Sequence, residues 1–298
     1  MSSPRGIGLI LLAASGLTMA QSSELTVFAA GSLRAPLTRI AQDFEGSPGG
    51  QKVKLVFGAS GLLRDRLQKG EAADVFASAN MEHPQALATA GWAEPVVRFA
   101  RNALCALTTP QFELKGKTLA ERLLDPAVKL GTSTPKADPS GDYAFLMFER
   151  IEASGVGPAG SADRLKAKAL QLTGGPNSPP PPADRSVYGA IVAANGADVF
   201  ITYCTNAVIA QREEPALRRI DVPAAVNVSA SYGVTVLDGA ADEAKAFVQF
   251  LLSADGETVN VFDTRARTRL DVVNVTNQVR SRGEKLTLLD AISLSIRP

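Results

Sequence analysis

The chain has 298 residues, 45% hydrophobic and 20% charged, with 31 Lys and Arg against 30 Asp and Glu. That length allows one large domain or two modest lobes, and a formal net charge of +1 offers no electrostatic case for nucleic acid or an acidic membrane surface as a partner. One histidine and two cysteines argue against histidine-based metal centres and against most catalysis that needs an imidazole.

Arg5 gives a short basic start, Gly6 to Ala20 an apolar run too short for a typical membrane span, and Thr18-Met19-Ala20 the small residues a signal peptidase reads. Residues 1–20 are therefore expected to be a cleaved secretory signal, with the mature protein in an oxidising, extracytoplasmic compartment. There Cys105 and Cys204 could form a disulfide or remain two buried thiols; spacing alone leaves both open.

The mature chain opens on LTVFAAGSLRAPLTRIAQDF, residues 25–44. Leu25 to Ala30 reads as a buried strand, Gly31 as the turn, and Ser32 as the N-cap of a helix carrying Leu33, Leu37, Ile40, Ala41 and Phe44 on one face. Pro36 falls in or near the first turn, where its missing N–H costs least. Such a unit aims free N–H groups and a hydroxyl past the end of a strand, which suits an anion. A lone serine there is more often only a cap.

The same design recurs. Val53 to Phe57 is a strand, Gly58-Ala59-Ser60-Gly61 a turn, and Leu62 to Lys69 a helix closed by Gly70. Ala73 to Ser78 predicts a strand and Pro84 to Ala90 a helix ended by Gly91, with His83 before it as a solvated or capping residue. Val96 to Asn102 reads as a connection and Leu104 to Leu107 as the start of a new sheet. A short helix at 119–124 and a strand at 128–131 precede the polar turn TSTPKADPSG. Ser140 then precedes a helix over 142–153 with Tyr143, Leu146, Met147 and Ile151 on one side. A helix is predicted at 164–172, then an extended loop with four prolines, 179–182.

Ser186 precedes a helix over 187–194, and Val199 to Tyr203 is a strand. Strand character returns at Ile220 to Pro223 and at Ser231 to Leu237. The last predicted helix, 242–253, has Ala246, Phe247, Phe250 and Leu251 facing in. Alternating strands and helices give an α/β fold with largely parallel sheets. The four serines at helix starts (Ser32, Ser60, Ser140 and Ser186) would converge on one cleft if two such lobes face each other. A cleft of hydroxyl and amide donors suits a compact, fully ionised oxyanion and disfavours one that brings a proton.

The run VFAAGSL, then FGASGLL, then GEAADVFASAN at 70–80, resembles the periplasmic molybdate-binding proteins of ABC transporters. The resemblance covers residues 24–262. It implies a two-lobed type II periplasmic-binding-protein fold, with lobe one at 24–100 and 226–262 and lobe two at 101–225. It also implies that Ser32 and Ser60 give hydroxyls to the oxyanion, that Ser140 and Val187 give backbone N–H groups, and that Tyr203 gives its phenol. The ligand would be molybdate or tungstate, without a cofactor or catalysis. The partner would be a membrane permease and the location the periplasm, with a monomer expected. Sulfate in the same fold is the alternative, and a secreted serine hydrolase is a weaker one, since no base is placed beside any of the serines. The chain departs from the family's pattern at Lys136 and Asp138, both expected to be solvated on the cleft rim, in its proline run, and in its C-terminal extension, 263–298.

Overall fold

A short apolar run ended by Gly-Ser makes a buried strand followed by a helix, and this unit builds most of the molecule. The computed structural model describes residues 24–182 and 185–253; the expected signal (1–20) and the extension (263–298) lie outside the described residues. In chain order β1 (Leu25–Ala30), α1 (Arg34–Glu45), β2 (Val53–Gly58), α2 (Ser60–Gln68), β3 (Val75–Ser78), α3 (Glu82–Thr89) and β4 (Val97–Asn102) form the first lobe. The second sheet and its helices follow as β5 (Leu104–Thr108), α4 (Leu119–Leu124), β6 (Leu130–Ser133), α5 (Pro139–Ala153), α6 (Ser161–Lys168), β7 (Leu170–Thr173), α7 (Val187–Ala193), β8 (Val199–Tyr203), α8 (Cys204–Glu213) and β9 (Arg218–Asp221). The chain then returns to the first sheet with β10 (Ala230–Val236) and α9 (Asp242–Leu252).

Among the described residues there are two five-stranded sheets, ordered β2-β1-β3-β10-β4 and β7-β6-β8-β5-β9. Each has three parallel strands and two strands joined antiparallel, β10 to β3 and β4 in the first and β5 to β8 and β9 in the second. The sheets are therefore mixed rather than largely parallel. The stretch expected to be a connection, 96–102, is strand β4, held by β10 from Ala230↔Asn102 to Val234↔Val97. Between the two lobes this crossing is one residue long, Ala103. Asn227 ties the outgoing and returning chains together. Its Oδ1 accepts from the Leu104 N–H at 3.0 Å, and its Nδ2 donates to the Leu104 carbonyl at 3.0 Å and to that of Val222 at 3.3 Å.

Several local expectations are corrected. The helix predicted at 164–172 ends at Lys168, and Leu170 to Thr173 pair with β6 as a strand. Helix α5 buries Ala144, Met147, Phe148 and Ile151 and leaves Leu146 exposed. Helix α9 buries Ala244, Phe247, Val248 and Leu251, spaced i, i+3, i+4 and i+7, while Ala246 faces outward. Phe44 of α1 meets Phe247 edge-on at 5.3 Å, which seats α9 on the first sheet. Helix α8 had no reading from sequence. It starts directly at Cys204 with no side-chain cap on Tyr203, so the usual start signal is missing.

Cys105 in β5 and Cys204 at the start of α8 form a disulfide, with Cα atoms 4.8 Å apart across 99 residues. It is packed among Leu107, Phe200 and Ala207, and it fixes the helix that follows Tyr203 to the middle of the second sheet.

Candidate functional site

The site residues sit where parallel strands end and helices begin, at the C-terminal edges of both sheets. Ser32 follows β1 in a short 3₁₀ turn, Gly31–Leu33, and does not cap α1 with its side chain. Its Oγ lies 3.0 Å from the Tyr232 hydroxyl instead. Ser60 is the first residue of α2, buried, and its Oγ accepts the Ala79 N–H at 3.0 Å. Because that bond uses an oxygen lone pair, the Ser60 hydroxyl proton stays available as a donor. Tyr203 ends β8, and its hydroxyl donates to the carbonyl of the same Ala79 at 3.4 Å. Its ring lies 5.6 Å from that of Tyr232 and 6.3 Å from that of Tyr143. The structure thus gathers Ser32, Ser60 and Tyr203 into one set, drawn from both lobes.

Ser140 and Val187, the other two expected residues, lie at helix starts of the second lobe. Ser140 is the second residue of α5, whose N-cap is Asp138, and the Asp138 Oδ1 accepts the Ser140 N–H at 3.0 Å. The Ser140 hydroxyl is fully buried without a partner, as is that of Thr132 in β6, while the buried Ser133 hydroxyl acts on Asp138 and Tyr188. Val187 opens α7, capped by the Ser186 side chain, which accepts the Gly189 N–H at 3.2 Å. Tyr188 beside it lies within the electrostatic reach of Asp138.

Sequence reading missed Tyr143, Tyr188 and Tyr232. All four of the chain's tyrosines meet in this region. For Tyr232 the available signal was its hydroxyl, since a tyrosine in a buried strand needs a polar partner where phenylalanine would not; Tyr143 and Tyr188 lie on helices α5 and α7. Burial pushes each of the four phenols upward, so they are neutral donors at ordinary pH. Asn102, last in β4, donates from Nδ2 to the Tyr232 hydroxyl at 3.2 Å and to Thr205 Oγ1 at 2.9 Å. That joins the first lobe's Ser32–Tyr232 pair to α8 of the second lobe, across the crossing at Ala103.

The lobes also touch at the rim, where the Gly61 N–H of α2 donates to the Ala137 carbonyl at 2.9 Å. A Cβ at Gly61 would come within 2.7 Å of that oxygen, so the approach needs glycine. Of the two charged residues expected on the rim, Lys136 is exposed there. Asp138 is not: its carboxylate turns inward onto the start of α5, and burial pushes it up to about 6, against the pull of the Ser140 N–H.

His83 also departs from expectation. It lies inside α3, 5% exposed, with Nδ1 3.1 Å from Arg64 Nη1 and Nε2 without a partner. Burial, then the nearby Arg64 charge, lower it to about 4. An open groove of about 440 Å³, lined by Thr26, Glu71, Asp74, Trp92 and Asp238, lies by the opposite, N-terminal end of β1 and holds none of these residues. The two lobes thus bring neutral hydroxyls into one region, with Asp138 acting on Tyr188, Tyr203 and Tyr232 and with Glu82 and Asp142 acting on Tyr143.

A family model described as bacterial extracellular solute-binding protein matches residues 25–260. An uncharacterised protein of Pasteurella multocida is 36% identical over 213 residues, 70% of this chain and 85% of its own length. A molybdate-binding protein of Mycobacterium bovis is 28% identical over 143 residues, 45% of this chain and 55% of its own. Among solved structures, a sulfate-binding protein of Mycobacterium tuberculosis matches with a TM-score of 0.67 at 15% identity, over 88% of this chain and 92% of its own. Together with the two sheets and the double crossing, these give the two-lobed type II periplasmic-binding-protein fold.

Proposed function

This chain belongs to the bacterial extracellular solute-binding protein family, and from that premise we propose that it captures molybdate or tungstate between its lobes and delivers it to an ABC permease. The observation that carries the oxyanion is the meeting of Ser32, Ser60 and Tyr203 around Ala79 and Tyr232. Hydroxyl donors from three separate strand ends, two in one lobe and one in the other, suit a small anion with acceptors on every side. The N-termini of α2, α5 and α7 add the positive ends of their dipoles. The cations that would make this a general anion trap are missing from the groups acting on Asp138, Tyr188, Tyr203 and Tyr232.

The protein's own share of the work is to bind and to close. Ser60 and Ser32 orient two oxygens from the first lobe. The others fall to the Val187 N–H and, once they leave the Ala79 carbonyl and the Asp138 carboxylate that they now serve, to the Tyr203 hydroxyl and the Ser140 N–H of the second lobe. Closure brings Gly61 onto Ala137 and presents the permease with the liganded shape. After its signal is removed, the protein works in the periplasm. Capture of sulfate is the second reading, favoured by the sulfate-binding neighbour of the same fold; tetrahedral dianions differ chiefly in radius, so cleft size decides between them. Hydrolase chemistry has no support, since the chain's histidine lies against Arg64 rather than beside any of the serines.

Calorimetric titration of the chain from Gln21 onward with molybdate, tungstate and sulfate tests this. Molybdate and tungstate are expected to bind tightly, with sulfate weak. Ser60→Ala is expected to weaken molybdate binding by about 1–3 kcal/mol, the usual loss when a buried charged group gives up a hydrogen bond. Unchanged affinity in that variant would remove Ser60 from the site.

A further inference from the structure

We propose that the cleft takes its oxyanion together with one proton, held on the Asp138 side of the site; this rests on the oxyanion reading above. The geometry is specific. Asp138 caps α5, and its Oδ1 already occupies the Ser140 N–H at 3.0 Å, the donor that the family resemblance assigns to the ligand. Gly174, at φ 75°, closes over it so tightly that a side chain there would begin 2.6 Å from the Asp138 Cβ. On the same wall the Ser140 hydroxyl is buried with no partner, while the Ser133 hydroxyl acts on the Asp138 carboxylate and favours its charged form.

An ionised Asp138 and a doubly charged oxyanion held at Ser140 would therefore compete for the same backbone donor. Two unneutralised anions in a water-poor site repel strongly, and the ordinary escape is that one of them takes a proton. Among the described residues no cation is one of the groups that act on Asp138, although the Ser140 N–H and the Ser133 hydroxyl favour its charged form. On its own helix, Asp142 adds a second negative influence. From α7, β8 and β10 it meets only the neutral phenols of Tyr188, Tyr203 and Tyr232. In its own loop, Lys136 is exposed; its backbone N–H and its charge both act on Asp142, and it is not among the groups that act on Asp138.

Burial has already raised the Asp138 carboxyl to about 6 before any ligand charge is added. A proton from solvent on Asp138 removes the repulsion, loosens its hold on the Ser140 N–H and turns the carboxyl into a further donor. A singly protonated oxyanion facing ionised Asp138 is the same stoichiometry with the proton on the other partner. The cleft so equipped does not penalise a proton-bearing anion, as a cleft of donors alone would.

The test is calorimetric titration with molybdate at pH 7.5 in two buffers of different ionisation enthalpy, repeated from pH 6 to 8.5. The native protein is expected to take up close to one proton per molybdate, and its affinity to fall about tenfold per pH unit above pH 7. Asp138→Asn keeps a good cap; it is expected to take up no proton, to lose the pH dependence, and to bind at least tenfold tighter than native at pH 8. Molybdate binding with no proton uptake, or a native pH profile shared by the variant, overturns the proton and leaves the oxyanion reading standing. No binding of molybdate, tungstate or sulfate by either protein at any pH overturns both. Should the variant not fold, the proton count of the native protein decides.

Discussion

Two titratable residues, buried His83 and half-buried Asp138, pull the stability of this protein in opposite directions. His83 is held neutral to about 4 by burial and by Arg64. Below pH 6.5 the unfolded chain gains a proton that the folded chain refuses, so this residue's stability contribution is lost as pH falls from about 6.5 to 4. Asp138 is raised to about 6, so between 6 and about 4 the folded chain takes a proton that the unfolded chain does not. Its contribution therefore improves on acidification and is worst above pH 6. Each is worth about 2–3 kcal/mol over its range, and the two nearly cancel. Urea denaturation from pH 4 to 7 should separate them. Relative to native, His83→Gln should gain stability as pH falls. Asp138→Asn should be more stable by about 2 kcal/mol at pH 7 and lose that advantage by pH 4. Parallel curves for native and both variants would show that neither residue titrates as its surroundings dictate. Neither environment was legible in the sequence: a histidine before a helix and an aspartate in a polar turn both look solvated, and only the packing of α2 on His83 and of Gly174 on Asp138 removes the water.

Helix starts were the most readable elements, because the residues that satisfy a first turn are few. Ser186 caps α7 as expected, whereas Ser60, expected in the turn before its helix, is the first residue of α2 and makes no capping bond; the positions of the helix starts were legible, and the roles of their serines were not. Asp138, two residues earlier, took the cap expected of Ser140, so the helix starts at Pro139 and the carboxylate accepts the N–H of Ser140 itself. What the sequence hid was pairing over distance. Strands β4 and β10 meet across about 130 residues, and no local signal tells a strand that will pair antiparallel from a connection. Helix α2 carries its own prediction. Its second residue, Gly61, lets the backbone N–H reach Ala137 across the cleft. Gly61→Ala places a methyl against backbone that cannot move aside, so each lobe should fold normally while closure fails. Small-angle scattering with saturating molybdate should show a more open particle than native, and affinity should fall by at least tenfold. A variant as closed and as tight as native would mean that the rim contact is dispensable.

At the scale of the molecule, two lobes are joined through Ala103 and the returning chain, and both strands of that joint are bound to Asn227. The site spans the joint through Ser32, Tyr232, Asn102 and Thr205, so ligand contacts and hinge contacts belong to one hydrogen-bonded set. The two-lobed form followed from motifs in the first eighty residues; the mixed sheets and α8 did not, because they depend on which strands the crossings bring together. The disulfide was an open alternative in the sequence and a bond in the fold. It joins residues 99 apart and so closes a loop containing most of the second lobe. Under tension between its ends, the oxidised chain cannot pay out that loop. An optical trap pulling the unfolded protein should record a contour shorter by roughly 330–360 Å, at about 3.3–3.6 Å per residue, and adding a reductant should release that length in one step. About a third of this chain is slack that mechanical force cannot reach while Cys105 and Cys204 remain joined.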